Sequence, residues 1–148
     1  RATADSHLEL PVVDTSLEEL EQSDFEPFRQ MAKSPLADRV WGMVAHIVYP
    51  ALDPDYAVTV SKNAMEYLRK DLGINHFLLP DDISMLALEK YGNLADRAVK
   101  TLEAGSDATL YCAGKLTEME EIMRDVPAMT DAAYKRYERS TIRRRSAA

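Results

Sequence analysis

The amino-acid sequence predicts an α/β fold built on a parallel sheet, and three observations support this prediction. Short apolar segments with the character of strands lie at residues 41–49, 76–80 and 107–113. Segments in which apolar residues recur at helical spacing separate them. Each strand begins about thirty residues after the previous one, which is the length of a strand–helix–strand unit and is long enough for a parallel crossover.

The first helix is predicted within residues 15–31, after a polar loop. Its apolar residues fall on one helical face: Leu17, Leu20, Phe28 and Met31. Thr15 or Ser16 is a candidate N-cap, because a side-chain hydroxyl can accept a hydrogen bond from the first free backbone N–H groups. Pro27 is expected to kink or break this helix.

The segment WGMVAHIVY at 41–49 is rich in aromatic and β-branched residues and is followed by Pro50. Its nearly unbroken apolar character predicts a strand buried on both faces, as in parallel sheets. A loop over 51–61 follows, and Ser61 is the predicted cap of a helix that ends near Gly73. HFLLP at 76–80 and DATLYCA at 107–113 are the other two predicted strands.

Three further helices complete the prediction, at 94–104 before Gly105, at 116–126, and at 131–145, which is basic. Methionines on the helical stripes are expected in the core: Met65, Met119 and Met123. A closed (β/α)8 barrel takes about 250 residues, whereas this chain has 148 and begins with Arg1. We therefore expect residues 1–142 to form the C-terminal portion of such a domain, with its N-terminal half upstream, and 143–148 to form a basic tail.

The composition excludes several classes of function. With 46% hydrophobic and 29% charged residues the chain has the balance of a soluble globular protein. A net charge of −7 argues against a nucleic-acid partner. No apolar run approaches the roughly 20 residues that span a bilayer. A single cysteine excludes an internal disulfide, and a reducing cytoplasm is the expected location.

Residues that follow the carboxyl ends of strands are the first candidates for a site, because parallel α/β folds place their chemistry there. Asp81 follows HFLLP and suits a nucleophile or a metal ligand, although it or Asp82 could instead cap a helix beginning near Ser84, with Asp82 the better cap. His46 and Tyr49 end the first strand, and His46 is alternatively a hydrogen-bonded core histidine.

For two other candidate residues, the position in the sequence favours a structural role. Cys112 ends the third predicted strand and is more typical of a small buried hydrophobe than of a nucleophile. His76 enters its strand at the opposite end, where a structural or exposed position is expected. The spacing of the His, Cys and Asp residues matches no metal motif, and no glycine-rich phosphate loop is present, so no cofactor is predicted.

The stretch TADSHLELP at 3–11 places Asp5 two residues before His7. On a loop the carboxylate could orient the imidazole and stabilise its protonated form, as in an acid/base dyad. The alternative is a solvated loop near a chain end, and the stretch alone favours this alternative.

Four segments in order resemble the bacterial family 3 β-N-acetylhexosaminidases of the NagZ type: TADSHLELP, AHIVYPALDP, LGINHFLLPDDISM and LADRAVKTLEAGSDATLYCAG. The resemblance covers residues 3 to about 139. It implies a (β/α)8 TIM barrel, of which this chain supplies roughly the last three strands and their helices. It also implies a cytoplasmic enzyme that removes terminal N-acetylglucosamine from muropeptides, with retention of configuration. At Pro80 the family usually has Ser.

The same resemblance implies roles for individual residues. Asp81 corresponds to the nucleophile that forms a covalent glycosyl-enzyme, and His7 with Asp5 corresponds to the acid/base dyad. His46 and Tyr49 are weaker candidates for substrate contact. The alternative is a truncated, non-catalytic relative that serves as a structural or assembly subunit, and in either case the isolated chain is expected to be inactive.

Overall fold

Two short parallel strands lie at the centre of the fold. The structure is a computed structural model that describes residues 1–2, 4–6 and 8–145, with side chains described as far as residue 141. Strand β1 (Trp41–Val44) pairs with β2 (Phe77–Pro80) in register from Trp41 opposite Phe77 to Val44 opposite Pro80. The helices are α1 (Leu17–Gln22), α2 (Glu26–Lys33), α3 (Lys62–Lys70), α4 (Leu94–Ala104), α5 (Leu116–Asp125) and α6 (Asp131–Arg145).

The predicted α/β class is therefore confirmed, but the third predicted strand is wrong. Residues 107–113 run beside β2 without a regular ladder. Asp107 N–H donates to the Leu78 carbonyl at 2.8 Å, and Ile83 N–H donates to the Leu110 carbonyl at 2.9 Å. The Leu78 N–H instead donates to the Asp107 carboxylate at 2.9 Å, so a side chain occupies a position that a strand backbone would take.

The prediction of a strand over 41–49 buried on both faces is also wrong. The strand ends at Val44, and Trp41 and Met43 on its outer face are 45% and 60% exposed. Alternate residues of a strand point to opposite faces, and on this face helix α6 contacts Trp41 but leaves it partly exposed. Further along, Val48 forms an isolated parallel bridge with Val12.

The first predicted helix is two helices, as Pro27 suggested. Ser16 caps α1 by accepting a hydrogen bond from Glu19 N–H, and Pro27 lies in the first turn of α2. Of the predicted stripe only Leu20 is buried, whereas Leu17, Phe28 and Met31 are exposed. The break between the helices places Phe25 in the core instead.

The start of α3 and the end of α4 follow the predicted signals, whereas the capping box that begins α4 was not among the predictions. Ser61 caps α3 through Ala64 N–H, and Gly73, two residues past the C-cap, adopts a positive φ of 72°. Asn93 and Asp96 form a reciprocal capping box at α4, which ends at Gly105. These local signals depend on neighbours in sequence, which is why the sequence can predict them.

Buried apolar residues of the described chain form two clusters. The first packs β1, β2 and α3 together and includes Leu20, Phe25, Val44, Met65 and Leu78. The second joins α4 and α5 to the segment after β2 and includes Ile83, Leu88, Tyr91, Ala98 and Ile122. Met65 is buried as predicted, but Met119 and Met123 are exposed, so their predicted core position is wrong.

A buried carboxylate ties the outer helices to the sheet. Asp107 accepts hydrogen bonds from Arg69 of α3 at 2.8 Å and from Arg136 of α6 at 2.7 Å, besides the one from Leu78 N–H. Burial lowers the pKa of Arg69, and the nearby Asp107 charge opposes that shift. No helix among the described residues is long and apolar enough to cross a membrane.

Candidate active site after strand β2

Asp81 and Asp82 come directly after β2, at its carboxyl end. Asp81 N–H donates to the Val44 carbonyl at 3.0 Å, which continues the pairing of the two strands by one residue. The position of Asp81 is therefore set by the sheet itself. Its carboxylate is half-buried, and one oxygen, Oδ1, accepts a hydrogen bond from Asp82 N–H at 2.8 Å.

Asp82 forms the turn that follows, but the prediction that it caps a helix is wrong, because the N-cap position of the next helical segment is Met85 and has no side-chain cap hydrogen bond. Its Oδ1 accepts from Ser84 N–H at 3.0 Å, and its Oδ2 accepts from the Ser84 hydroxyl at 2.6 Å. The helical segment here is a 3-10 helix, Leu86–Tyr91, and starts two residues after Ser84. Because Asp82 forms this turn, the Asp81 carboxylate is not needed for it.

Asp82 also reaches the neighbouring segment. Its Oδ1 accepts a hydrogen bond from Cys112 N–H at 3.3 Å. Burial pushes the pKa of Asp82 upward, but the hydrogen bonds from Ser84 and Cys112 N–H outweigh it, and the pKa lies below its ordinary value. Asp82 is therefore held as a carboxylate that connects the loop after β2 to the residues beyond 107.

His46 lies beneath this loop and is buried, with 1% of its surface exposed. Its Nδ1 is 3.1 Å from the Thr59 hydroxyl and its Nε2 is 3.0 Å from the Asp82 carbonyl oxygen. Burial is the main reason that the pKa of His46 is lowered. The geometry fits the hydrogen-bonded core histidine, and a direct contact with substrate stays a prediction.

The other candidates lie further from this cluster or differ from expectation. Tyr49 is half-buried and packs edge-on against Phe25, with 6.0 Å between ring centroids. His76 is buried, which fits the structural role, and its carbonyl accepts from Arg69 at 2.8 Å. Cys112 is exposed, so the expected burial is wrong. Local desolvation and the carboxylates of Asp82 and Asp81 raise the pKa of its thiol, which disfavours a thiolate nucleophile.

The predicted acid/base pair is only partly described. His7 lies outside the described residues. Asp5 is exposed, and its carbonyl accepts hydrogen bonds from Leu8 N–H at 2.9 Å and Glu9 N–H at 3.0 Å, which forms a turn at this point. The dyad therefore stays a prediction. Among the residues that the structure describes, no group of three or more His, Cys, Asp or Glu side chains could hold a metal ion.

Residues 1–140 match the glycosyl hydrolase family 3 N terminal domain. The chain belongs to glycosyl hydrolase family 3. It is 40% identical over 109 residues to the beta-hexosaminidase of Alkalilimnicola ehrlichii, which is 73% of this chain and 30% of that protein. It is 32% identical over 136 residues to the beta-hexosaminidase of Idiomarina loihiensis, which is 92% of this chain and 40% of that protein.

Solved structures of family 3 proteins share the fold. A β-N-acetylglucosaminidase from Paenibacillus sp. superposes with a TM-score of 0.85 at 28% identity, over 99% of this chain and 30% of that one. NagZ from Neisseria gonorrhoeae, in complex with N-trifluoroacetyl-D-glucosamine, gives 0.74 at 30% identity, over 94% of this chain and 38% of that one. The chain thus spans less than half the length of these family 3 relatives.

Two parts of the cluster have no local signal in the sequence. Thr59, the partner of His46, lies within the predicted loop at 51–61, and the contact of Asp82 with Cys112 N–H joins residues thirty positions apart. A buried hydroxyl beside a buried histidine signals such a pair only once the topology brings the two segments together.

Proposed function

We propose that this family 3 chain supplies the nucleophile of a retaining β-N-acetylhexosaminidase that releases terminal N-acetylglucosamine from muropeptides in the cytoplasm. The observation that carries the proposal is Asp81, set by the sheet at the carboxyl end of β2 while Asp82 takes over the local turn. The names of the relatives, beta-hexosaminidase and NagZ, support the substrate class.

The proposed reaction has two steps. Asp81 attacks the anomeric carbon as the glycosidic C–O bond breaks, while His7 donates a proton to the departing oxygen. His7 then removes a proton from water, which attacks the same carbon and releases Asp81 as a carboxylate. Asp5 orients the imidazole and stabilises its protonated form, which donates the proton in the first step and is restored when His7 takes a proton from water in the second.

The proposed architecture is a (β/α)8 barrel of which β1, β2 and the segment after residue 107 form one part. In that arrangement the exposed outer face of β1, with Trp41 and Met43, packs against the N-terminal half of the barrel. The partner that the proposal requires is therefore that half, besides the glycoside substrate.

The test uses a chimera in which residues 1–140 replace the matching segment of gonococcal NagZ, alongside the 148-residue chain itself. We expect the chimera to cleave an aryl N-acetyl-β-glucosaminide and the isolated chain to be inert. Asp81→Ala should lower kcat at least about 1000-fold, because the covalent step is lost. Asp125→Ala, which removes an exposed carboxylate at the end of α5, is the matched control. Full activity of the Asp81 variant would exclude it as the nucleophile.

The dyad is tested in the same chimera with two leaving groups. His7→Ala should slow cleavage of a poor, alkyl leaving group far more than that of a nitrophenyl group, since only the former needs a proton from the acid. Asp5→Asn should have a smaller effect of the same kind. Equal losses on both substrates would assign His7 a role other than acid catalysis.

The exposed outer face of β1 also favours a second candidate, a non-catalytic subunit that is covered by a partner. This candidate predicts a chimera that folds but cleaves no N-acetylhexosaminide, together with a 16.7 kDa chain recovered inside a larger complex.

A further inference from the structure

The buried imidazole beneath the Asp81–Asp82 loop suggests a role that the proposed reaction leaves unassigned. We propose that His46 is a positioning residue, which fixes the orientation of the Asp81 carboxylate by holding the main chain of Asp82. This inference rests on the proposed function, since it concerns the same nucleophile. It replaces a direct sugar contact of His46 by an action through the protein.

Two contacts link the imidazole to the nucleophile, and a third holds the ring in place. His46 Nε2 meets the Asp82 carbonyl oxygen at 3.0 Å, and Asp82 N–H in turn donates to Asp81 Oδ1 at 2.8 Å. Thr59, fully buried, holds the other ring nitrogen at 3.1 Å. The main chain of Asp82 is thus held by two hydrogen bonds, one at its carbonyl and one at its N–H. The second of these is made to the Asp81 carboxylate, which is the proposed nucleophile.

The partners also determine the state of the ring. A carbonyl oxygen only accepts hydrogen bonds, so His46 Nε2 must carry the hydrogen and donate it to Asp82. Nδ1 is then the acceptor, and the Thr59 hydroxyl donates to it. This neutral tautomer agrees with the lowered pKa that burial produces. Neither nitrogen is left to bind a sugar hydroxyl.

The side chain of Asp82 secures the opposite side of the loop. Its carboxylate accepts from Ser84 and from Cys112 N–H, as described above. With the side chain anchored, rotation of the Asp82 main chain is limited by the bond to His46. Loss of that bond frees the N–H that orients Asp81, without removing any group that touches substrate.

The first experiment measures this coupling without catalysis. In the 148-residue chain, hydrogen exchange of Asp82 N–H is followed by NMR for wild type, His46→Leu and His46→Gln. The Leu variant lacks the donor and should exchange about tenfold faster, the factor expected for one lost hydrogen bond. The Gln variant keeps an N–H donor at similar reach and should restore most of the protection.

The matched control is Thr101→Val, which removes a buried hydroxyl bonded only within α4, to the Ala98 carbonyl at 2.8 Å. It should leave exchange of Asp82 N–H unchanged. If His46→Leu and Thr101→Val give the same exchange rate as wild type, His46 does not hold the loop and the inference is wrong.

The second experiment uses the chimera with gonococcal NagZ. We expect His46→Leu to lower kcat about 100-fold with KM within about twofold, because a displaced nucleophile slows the chemical step while sugar contacts remain. His46→Gln should recover most of kcat. A rise in KM at unchanged kcat would instead make His46 a substrate ligand and overturn the inference.

The two experiments separate the inference from the proposed function. If the wild-type chimera cleaves no hexosaminide, the proposed function fails, and the exchange measurement alone decides whether His46 holds Asp82. If the chimera is active and exchange is insensitive to His46, the function stands and the positioning role fails.

Discussion

At the level of single residues, Asp81 and Asp82 lie where the chain leaves the sheet, and their carboxylates accept hydrogen bonds within the first turn beyond it. The sequence predicts this position because both residues follow an apolar segment. The exposure of Cys112 was missed because it depends on residues 107–113 leaving the sheet. In that segment the side chain of Asp107, rather than a backbone carbonyl, accepts the Leu78 N–H, a contact that no local sequence pattern indicates.

The buried His46 makes stability depend on pH. Burial lowers its pKa in the folded chain below the ordinary value of about 6.5. Below that pH the unfolded chain binds a proton that the folded chain does not, so the free energy of unfolding falls as the pH falls. One such group changes it by at most about 1.4 kcal/mol per pH unit.

We therefore expect His46→Gln to reduce the loss of stability between pH 7.5 and 5.5, measured by urea unfolding. His76, whose pKa burial also lowers, contributes a second part of the same loss. In the double variant His46→Gln, His76→Gln the free energy of unfolding should depend even less on pH across this range. An unchanged slope in both variants would show that carboxylates, rather than these imidazoles, cause the dependence.

At the level of elements, local signals predicted where helices begin and end but not which faces are covered. The capping box at Asn93 and the glycine at 105 define α4 from neighbours in sequence. The periodicity of α5 is equally clear, yet only Ile122 is buried and its methionines face outward. Periodicity identifies an apolar face, whereas burial requires another element to lie on it.

Asp107 is the residue on which the arrangement of elements depends most. We expect Asp107→Ala to lower the free energy of unfolding by about 3–5 kcal/mol, because Arg69 and the Leu78 N–H would lose their buried acceptor. Urea unfolding of the 148-residue chain measures this.

The matched control for this prediction is Glu66→Ala, which breaks an exposed ion pair with Lys70 on α3. Exposed ion pairs contribute little to stability, so the free energy of unfolding should fall by less than about 1 kcal/mol. Equal costs for the two variants would mean that the contacts of Asp107 add nothing beyond an ordinary surface pair.

For the whole molecule, the sequence predicted the α/β class and the family, while the complete barrel could not be tested by two strands. A parallel sheet needs cover on both faces. Here Trp41 and Met43 on the outer face of β1 are exposed to solvent, although the Trp41 indole N–H donates to Ser140 of α6 at 2.8 Å. An exposed strand with apolar side chains invites association.

We expect the isolated chain to self-associate with rising concentration through this face, as measured by sedimentation velocity. Met43→Lys should reduce the association, because a charge on this face disfavours burial of the apolar patch against another copy. Leu86→Lys, at another exposed apolar position after β2, is the control and should leave the association unchanged. A wild-type chain that stays monodisperse at high concentration would contradict the expectation.

The exposed thiol of Cys112 has a practical consequence. Because it is the only cysteine in the chain, a spectroscopic label can be attached beside Asp82 without removing any other thiol. Local desolvation raises the pKa of its thiol, and the Asp82 and Asp81 charges raise it further, so its alkylation rate responds to a change in the local negative charge. Faster alkylation would signal that a carboxylate has been neutralised, whether by a proton, a cation or a covalently bound sugar.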